Sequence, residues 1–149
     1  MSDFIDDHLI LTGLRTLSGL LAGLYAAFVI AVMPALRGVP DSVFISTMNR
    51  INDVIVNPAF ILLFLGTPVL SLILLRWHQG VLAWVAVATA VAAVLITFMA
   101  NIPLNDALAA GGSRDAFENP WTAWHAVRTA ACLTTFVTTL YITPLQSAS

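Results

Sequence analysis

Charged residues divide the chain into four apolar stretches. Arg15 and Arg37 bracket residues 16–36, Asp53 and Arg76 bracket 54–75, residues 77–105 carry no charge, and Arg128 opens 129–149. A helix needs about 20 apolar residues to cross a bilayer core. In lipid only helices or closed barrels satisfy the backbone, and runs this long are not barrel strands. The pattern predicts four helices, near residues 12–36, 55–75, 81–103 and 121–143, with both termini on one side of the membrane. The residues ahead of them are acidic, and the apolar run that follows is too long for a signal-peptide core, so the first helix reads as a retained span.

The connections are unequal. On the side of the termini, residues 76–80 form a tight turn marked by His78 and Gly80. On the other side lie residues 37–53 and 105–120. The first of these breaks at Gly38–Pro40, after which Asp41 reads as the N-cap of a short amphipathic helix running to Asp53. The second holds Gly111, Gly112 and Ser113, then Asn119–Pro120 just ahead of the fourth helix. The expected fold is all-α and a single domain over 1–149: a four-transmembrane-helix bundle with a short amphipathic helix between helices one and two.

Composition agrees. The chain is 59% hydrophobic and 9% charged, with mean hydropathy +0.91, whereas soluble domains carry about 25% charged residues. Its partner is therefore a lipid bilayer, and disorder is excluded. There is no Lys, and the scattered Arg form no basic stripe, which excludes nucleic acid. Cys132 is alone and cannot close an intrachain disulfide. Arg15 and Arg76 lie on the terminal side against Arg37, Arg50, Arg114 and Arg128 on the other. The positive-inside rule then gives a multi-pass cell-membrane protein with extracytoplasmic termini. Gly19, Gly23, Ala27 and Ala31 form a stripe of small residues, and the Gly19/Gly23 face is a surface for a homo-oligomer. Thr134, Thr135, Thr138 and Thr139 can bond back onto their own helix.

Three polar groups gather near the long-connection face. Trp121, Trp124, His125 and Arg128 are spaced by three, four and seven, which predicts one helical stripe. An interfacial belt accounts for two Trp, but not for a His and an Arg in line with them toward the membrane interior. Asn101 and Asn105 lie four apart, with Pro103 between them freeing carbonyls near Met99. Met48 and Asn52 share a face of the amphipathic helix, while Arg50 and Asp53 read as a solvated ion pair on another. The three His fall in separate regions, so no metal-ligand cluster is visible.

At these residues the chain resembles the anthrone oxygenase-like small membrane proteins. The matching pieces are Val32–Met33–Pro34–Ala35–Leu36, Met48–Asn49–Arg50–Ile51–Asn52, Asn57–Pro58–Ala59–Phe60 and Phe64–Leu65–Gly66–Thr67–Pro68. Asn101–Ile102–Pro103–Leu104–Asn105 and Pro120–Trp121 with Trp124 and Arg128 complete the set. The resemblance implies a four-helix membrane fold and, as in the fungal members, oxygenation of an anthrone at its central methylene to give an anthraquinone. One departure stands out. The family commonly has Asn where this chain has His125, with His at the next position, here Ala126.

The implied reaction removes a proton from a doubly benzylic, carbonyl-activated carbon, and the carbanion passes an electron to dioxygen without a metal or flavin. Such a site needs a base or carbonyl polariser, an aromatic slot and donors for the developing oxyanion. His125, Arg128, Asn101 and Asn105 are the expected catalytic residues. Trp121, Trp124, Asn52 and Met48 are expected to bind an apolar aromatic small molecule, with molecular oxygen as co-substrate and no metal ligands. Three other classes fit the same residues: a non-catalytic binder of a quinone or other apolar ligand, a structural subunit, and a metal-dependent oxidase using His125 with the nearby Asn residues.

Overall fold

The computed structural model describes residues 2–146, which contain no strand. Helix α1 (Ser2–Ala27) runs through a π-helical segment (Phe28–Val32) into α2 (Met33–Arg37). The amphipathic helix α3 (Asp41–Ile55) turns into α4 (Pro58–Leu74). Helix α5 (Val81–Ile96) runs through a second π-helical segment (Thr97–Asn101) into α6 (Ile102–Ala109), and α7 (Arg114–Leu140) closes the fold. The long helices pack in a ring, with α1 against α4 and α7, and α5 against α4 and α7.

Two stretches, Asp3–Arg37 and Val81–Ala109, are long and apolar enough to cross a membrane. Asp41–Ile55 and Pro58–Leu74 meet that measure only as a pair, and the pair is bent by 70°. Helix α7 stays outside it, because Trp, His, Arg and several Thr interrupt its apolar residues.

The start of the first helix, the start of α7 and the end of the third helix lie beyond the expected bounds, each for a structural reason. Helix α4 (Pro58–Leu74) and the end of α7 at Leu140 fall just inside them. The first helix begins at Ser2 rather than near 12, because its polar end is tied down. Asp7 is fully buried; it pairs with His78 at 2.8 Å and accepts from the Leu145 amide at 2.7 Å. Arg15 caps the end of α7, donating to the carbonyls of Thr139 (3.1 and 3.0 Å) and Ile142 (2.8 Å). At the opposite end α7 begins at Arg114, so Asn119–Pro120 lies inside the helix rather than ahead of it. Ser113 is its N-cap, accepting from the Ala116 amide.

Arg114 is the clasp at this end. It donates to the carbonyls of Leu36, Arg37 and Val39, bonds Asp41 and Glu118, and lies 4.4 Å over the Phe44 ring. The hydrogen bond that it donates to Glu118 raises its pKa further, with a smaller contribution from the one to Asp41. Asp41 is thus not the N-cap of α3. Pro40 occupies that position, its carbonyl receiving the Val43 and Phe44 amides, and the Asp41 carboxylate is turned to Arg114. Arg50 and Asp53 are both exposed and make no ion pair, as expected where water screens the attraction. The small-residue stripe also divides. A Cβ on Gly19 would sit 3.0 Å from the Phe136 ring, so this face is taken up within the chain, whereas Gly23 faces open space. Thr134, Thr135, Thr138 and Thr139 all bond back onto helix carbonyls as expected.

The π segments place the site. Each is followed by a proline one residue in, Pro34 and Pro103. A proline ring collides with the carbonyl four residues earlier, here Ile30 and Met99, both inside a widened turn. The wider turn relieves the collision without ending the helix. Helix three therefore continues to Ala109 rather than stopping near 103, and the amides of Met33 and Ile102 bond five residues back, to Phe28 and Thr97.

Candidate functional site

Both π segments face α7, as does the bend between α3 and α4. They enclose a cavity of about 240 Å³, near the lower end of small-molecule pockets, roughly 300–1,000 Å³. Tyr25 and Phe28 line it from the first helix, and Phe60 and Phe64 from α4. Thr97 and Phe98 come from the second π segment, and Trp121, His125 and Arg128 from α7. Its walls are aromatic on two sides. Trp121 stacks on His125 at 4.7 Å and 12°, with Phe28 against both rings. Opposite, Phe60 stacks on Phe64 at 5.5 Å and 10°, with Phe98 beside it.

The polar centre of this apolar space is Arg128, only 8% exposed. Its Nε donates to His125 Nδ1 at 2.9 Å and its Nη1 to Thr97 Oγ1 at 3.2 Å. The guanidinium lies 4.5 Å over the Tyr25 ring and 5.5 Å from the Trp121 ring. No carboxylate lies within ion-pair distance of it among the described residues. Nη2 has no protein acceptor there either. A buried cation is costly to hold unless an acceptor of negative charge receives it.

His125, one of the expected catalytic residues, has both ring nitrogens engaged within the protein. Its Nδ1 lone pair is taken by Arg128, and its Nε2 faces the Tyr25 carbonyl at 3.0 Å. A carbonyl only accepts, so Nε2 carries the proton and the ring is the neutral tautomer with both nitrogens engaged. His125 therefore orients Arg128 and has no free lone pair for a substrate proton. Ala126 is exposed, so a side chain at that position does not reach the cavity.

Trp121 is held by both asparagines. Its indole Nε1 donates to Asn105 Oδ1 at 2.8 Å, and Asn101 Nδ2 donates to its carbonyl at 3.3 Å. Asn105 lines the cavity; Asn101 is buried behind Trp121, its Oδ1 without a partner. Asn52 lines the cavity from the end of α3. Besides Asn101, two expected residues do not reach it. Met48 is fully buried in an apolar cluster with Met33, Phe44, Leu108, Phe117 and Trp121, because its face of α3 packs onto the bundle. Trp124 is 46% exposed and turned outward. At 100° per residue it lies about 60° round the helix from Trp121, enough to leave the inward stripe.

The aromatic wall of α4 and the pair Tyr25–Thr97 escaped the sequence reading. Tyr25 offers one signal, a lone tyrosine in the apolar run of helix one. The cavity presents no carboxylate, no thiolate and a single imidazole whose nitrogens are both occupied. That donor set does not fit a metal centre built on His125 and the Asn pair.

Residues 44–138 match the protein-family model described as anthrone oxygenase. The match runs from α3 to the last turns of α7, and includes Asn52, Asn101, Asn105, Trp121, His125 and Arg128. No curated protein and no solved structure matches the chain.

Proposed function

The chain belongs to the anthrone oxygenase family, and from that premise we propose that its cavity converts a flat, apolar, anthrone-type aromatic and dioxygen into the quinone and water. In this reading the helices α1, α4, α5 and α7 are four membrane spans of a multi-pass cell-membrane protein, and the substrate comes from the lipid phase. The observation that carries the proposal is Arg128: a buried guanidinium in an aromatic-walled space, without a carboxylate, and with a donor to spare.

The chemistry follows from that donor. Loss of a proton from the central methylene leaves its electron pair delocalised onto the carbonyl oxygen, as an enolate. Arg128 stabilises that oxyanion in a site of low dielectric, where a fixed donor counts for most. The cavity offers no free base, so the contribution of the protein is to make the enolate accessible, the proton passing to water. The enolate transfers one electron to dioxygen, and the radical pair combines to a carbon-bound hydroperoxide once a proton is taken up. The hydroperoxide loses water to give the second carbonyl, so one oxygen atom enters the product and the other leaves as water. No resident metal or flavin is required by this balance. Phe60, Phe64, Phe28 and Trp121 hold the flat rings, and His125 keeps the Arg128 fork in plane.

The test is oxygen uptake and quinone absorbance with dithranol, a commercial anthrone, using protein purified in nanodiscs and dialysed against a strong chelator. Turnover that exceeds the protein-free rate and survives chelation supports the proposal. Loss on chelation with recovery on one metal ion overturns the cofactor-free scheme. Saturable quenching of Trp121 fluorescence without turnover makes the protein a binder.

A further inference from the structure

We propose that a flat apolar molecule exchanges between the bilayer and the cavity through a lateral mouth between α4 and the second π segment, with Phe98 as the residue it must pass. The proposal rests on the reading of the cavity as a site for an anthrone-type aromatic, and it names the route by which such a molecule arrives. Of the residues lining the cavity, only Val56, Ile61 and Phe98 are exposed, at 67%, 38% and 55%. The Arg128 end is closed by buried His125, Tyr25 and Thr97. Toward the long connections, Ile51, Asn52 and Asn105 are half-buried. The mouth is thus one-sided, and its rim is wholly apolar.

The sequence builds both edges of this rim. Asn57 Oδ1 accepts from the Phe60 amide at 3.1 Å and its Nδ2 donates to the Val54 carbonyl at 3.0 Å, with Pro58 next in the chain. These bonds fix the 70° corner between α3 and α4, and Val56 is left exposed on it. On the other edge, successive residues of the second π segment lie about a quarter-turn apart. Thr97 points inward to Arg128, Phe98 stands against Phe64 with ring centres 6.1 Å apart, and Met99 is exposed.

The same two helices also expose Leu62, Leu65 and Leu95. An apolar surface of this kind is matched by acyl chains rather than by water, so the mouth opens into lipid. A charged or hydrated solute would shed its water at such a rim before meeting the Arg128 donor. An uncharged aromatic already dissolved among acyl chains would not.

The experiment places a reversible obstacle at the mouth. Phe98→Cys and Met99→Cys are each labelled in detergent with a bulky methanethiosulfonate and then moved to nanodiscs. The native Cys132 is buried, and wild type is treated alike. Met99 is the adjacent exposed position that does not line the cavity. Under nitrogen, entry of dithranol is followed by the saturable quenching of Trp121, and release by dilution into protein-free nanodiscs. The label at position 98 should slow entry and release alike, on the order of tenfold, with Kd little changed, because an obstacle at a mouth raises the barrier without touching the bound state. Reduction with dithiothreitol should restore both rates, and the label at position 99 should change neither.

Equal rates for the two labelled proteins overturn the route, and so does a label at position 98 that weakens Kd without slowing entry. Asn52→Cys, labelled in the same way, tests the end toward the long connections; slowing there instead of at position 98 also overturns it. Absence of saturable quenching in unlabelled wild type overturns the reading of the cavity itself, a failure distinct from these.

Discussion

Replacing Arg128 with Lys keeps a positive charge in the cavity and removes the planar fork. The guanidinium serves three directions at once: Nε to His125 Nδ1 at 2.9 Å, Nη1 to Thr97 Oγ1 at 3.2 Å, and Nη2 toward the cavity. A lysine ammonium is a point charge on a flexible stem, and it cannot keep both neighbours and present a donor in the same plane. Hydrogen bonds from a charged donor are worth about 1.5–3 kcal/mol each, and one of the two is lost in stability. Loss of the oxyanion contact costs on the order of a hundredfold in turnover, about 2.7 kcal/mol of barrier. Arg128→Lys should therefore insert and purify like wild type, melt a few degrees lower, and turn over dithranol roughly a hundredfold more slowly. Arg128→Gln should be at least as impaired. The assay is oxygen uptake normalised to folded protein in nanodiscs. A Lys variant with turnover comparable to wild type would refute the reasoning, and so would a Gln variant whose only defect is expression.

The remaining expectations test the walls and clasps. Trp121→Ala removes the ring stacked on His125 and bridged to both Asn, and should destabilise by on the order of 3 kcal/mol and abolish turnover. Trp124→Ala, on the outer face, should leave melting temperature and turnover unchanged in the same assays. Asn105→Leu strips the Trp121 indole of its acceptor and should lower stability by about 1–3 kcal/mol, measured by thermal melting in detergent. Gly19→Leu should drive α1 off Phe136 and reduce the folded fraction on size exclusion, while Gly23→Leu should not.

The helices are legible because charges punctuate apolar runs too long for barrel strands, which leaves the helix as the way for such a run to satisfy its backbone in lipid. Their ends are not, because they are set by tertiary hydrogen bonds. Arg114 reaching back to Leu36, Arg37 and Val39 draws α7 outward by several residues, and nothing local to 114 announces it. The π segments are half legible: Pro103 in the sequence implies freed carbonyls near Met99, but the chain widens there instead of breaking. The inward direction of Trp121, His125 and Arg128 is legible in their spacing, and all three are buried and line the cavity, whereas a 60° offset turns Trp124 outward. His125 illustrates the limit. Its type and place were visible, whereas its role depends on which nitrogen Arg128 occupies, and that is set by a carbonyl a hundred positions away. Tyr25 lies outside the matched segment and among apolar neighbours, so only the folded chain brings it to Arg128.

The most direct test of the central claim is the fate of labelled oxygen. Dithranol is incubated with the purified protein under ¹⁸O₂, and the quinone is analysed by mass spectrometry against protein-free and Arg128→Lys controls at matched times. The cavity as described predicts one ¹⁸O atom in each quinone formed above the control rate, the other ¹⁸O leaving as water, and a yield that falls with Arg128→Lys. Labelled quinone formed no faster with wild-type protein than without it, or a new carbonyl oxygen derived from water, would contradict the account.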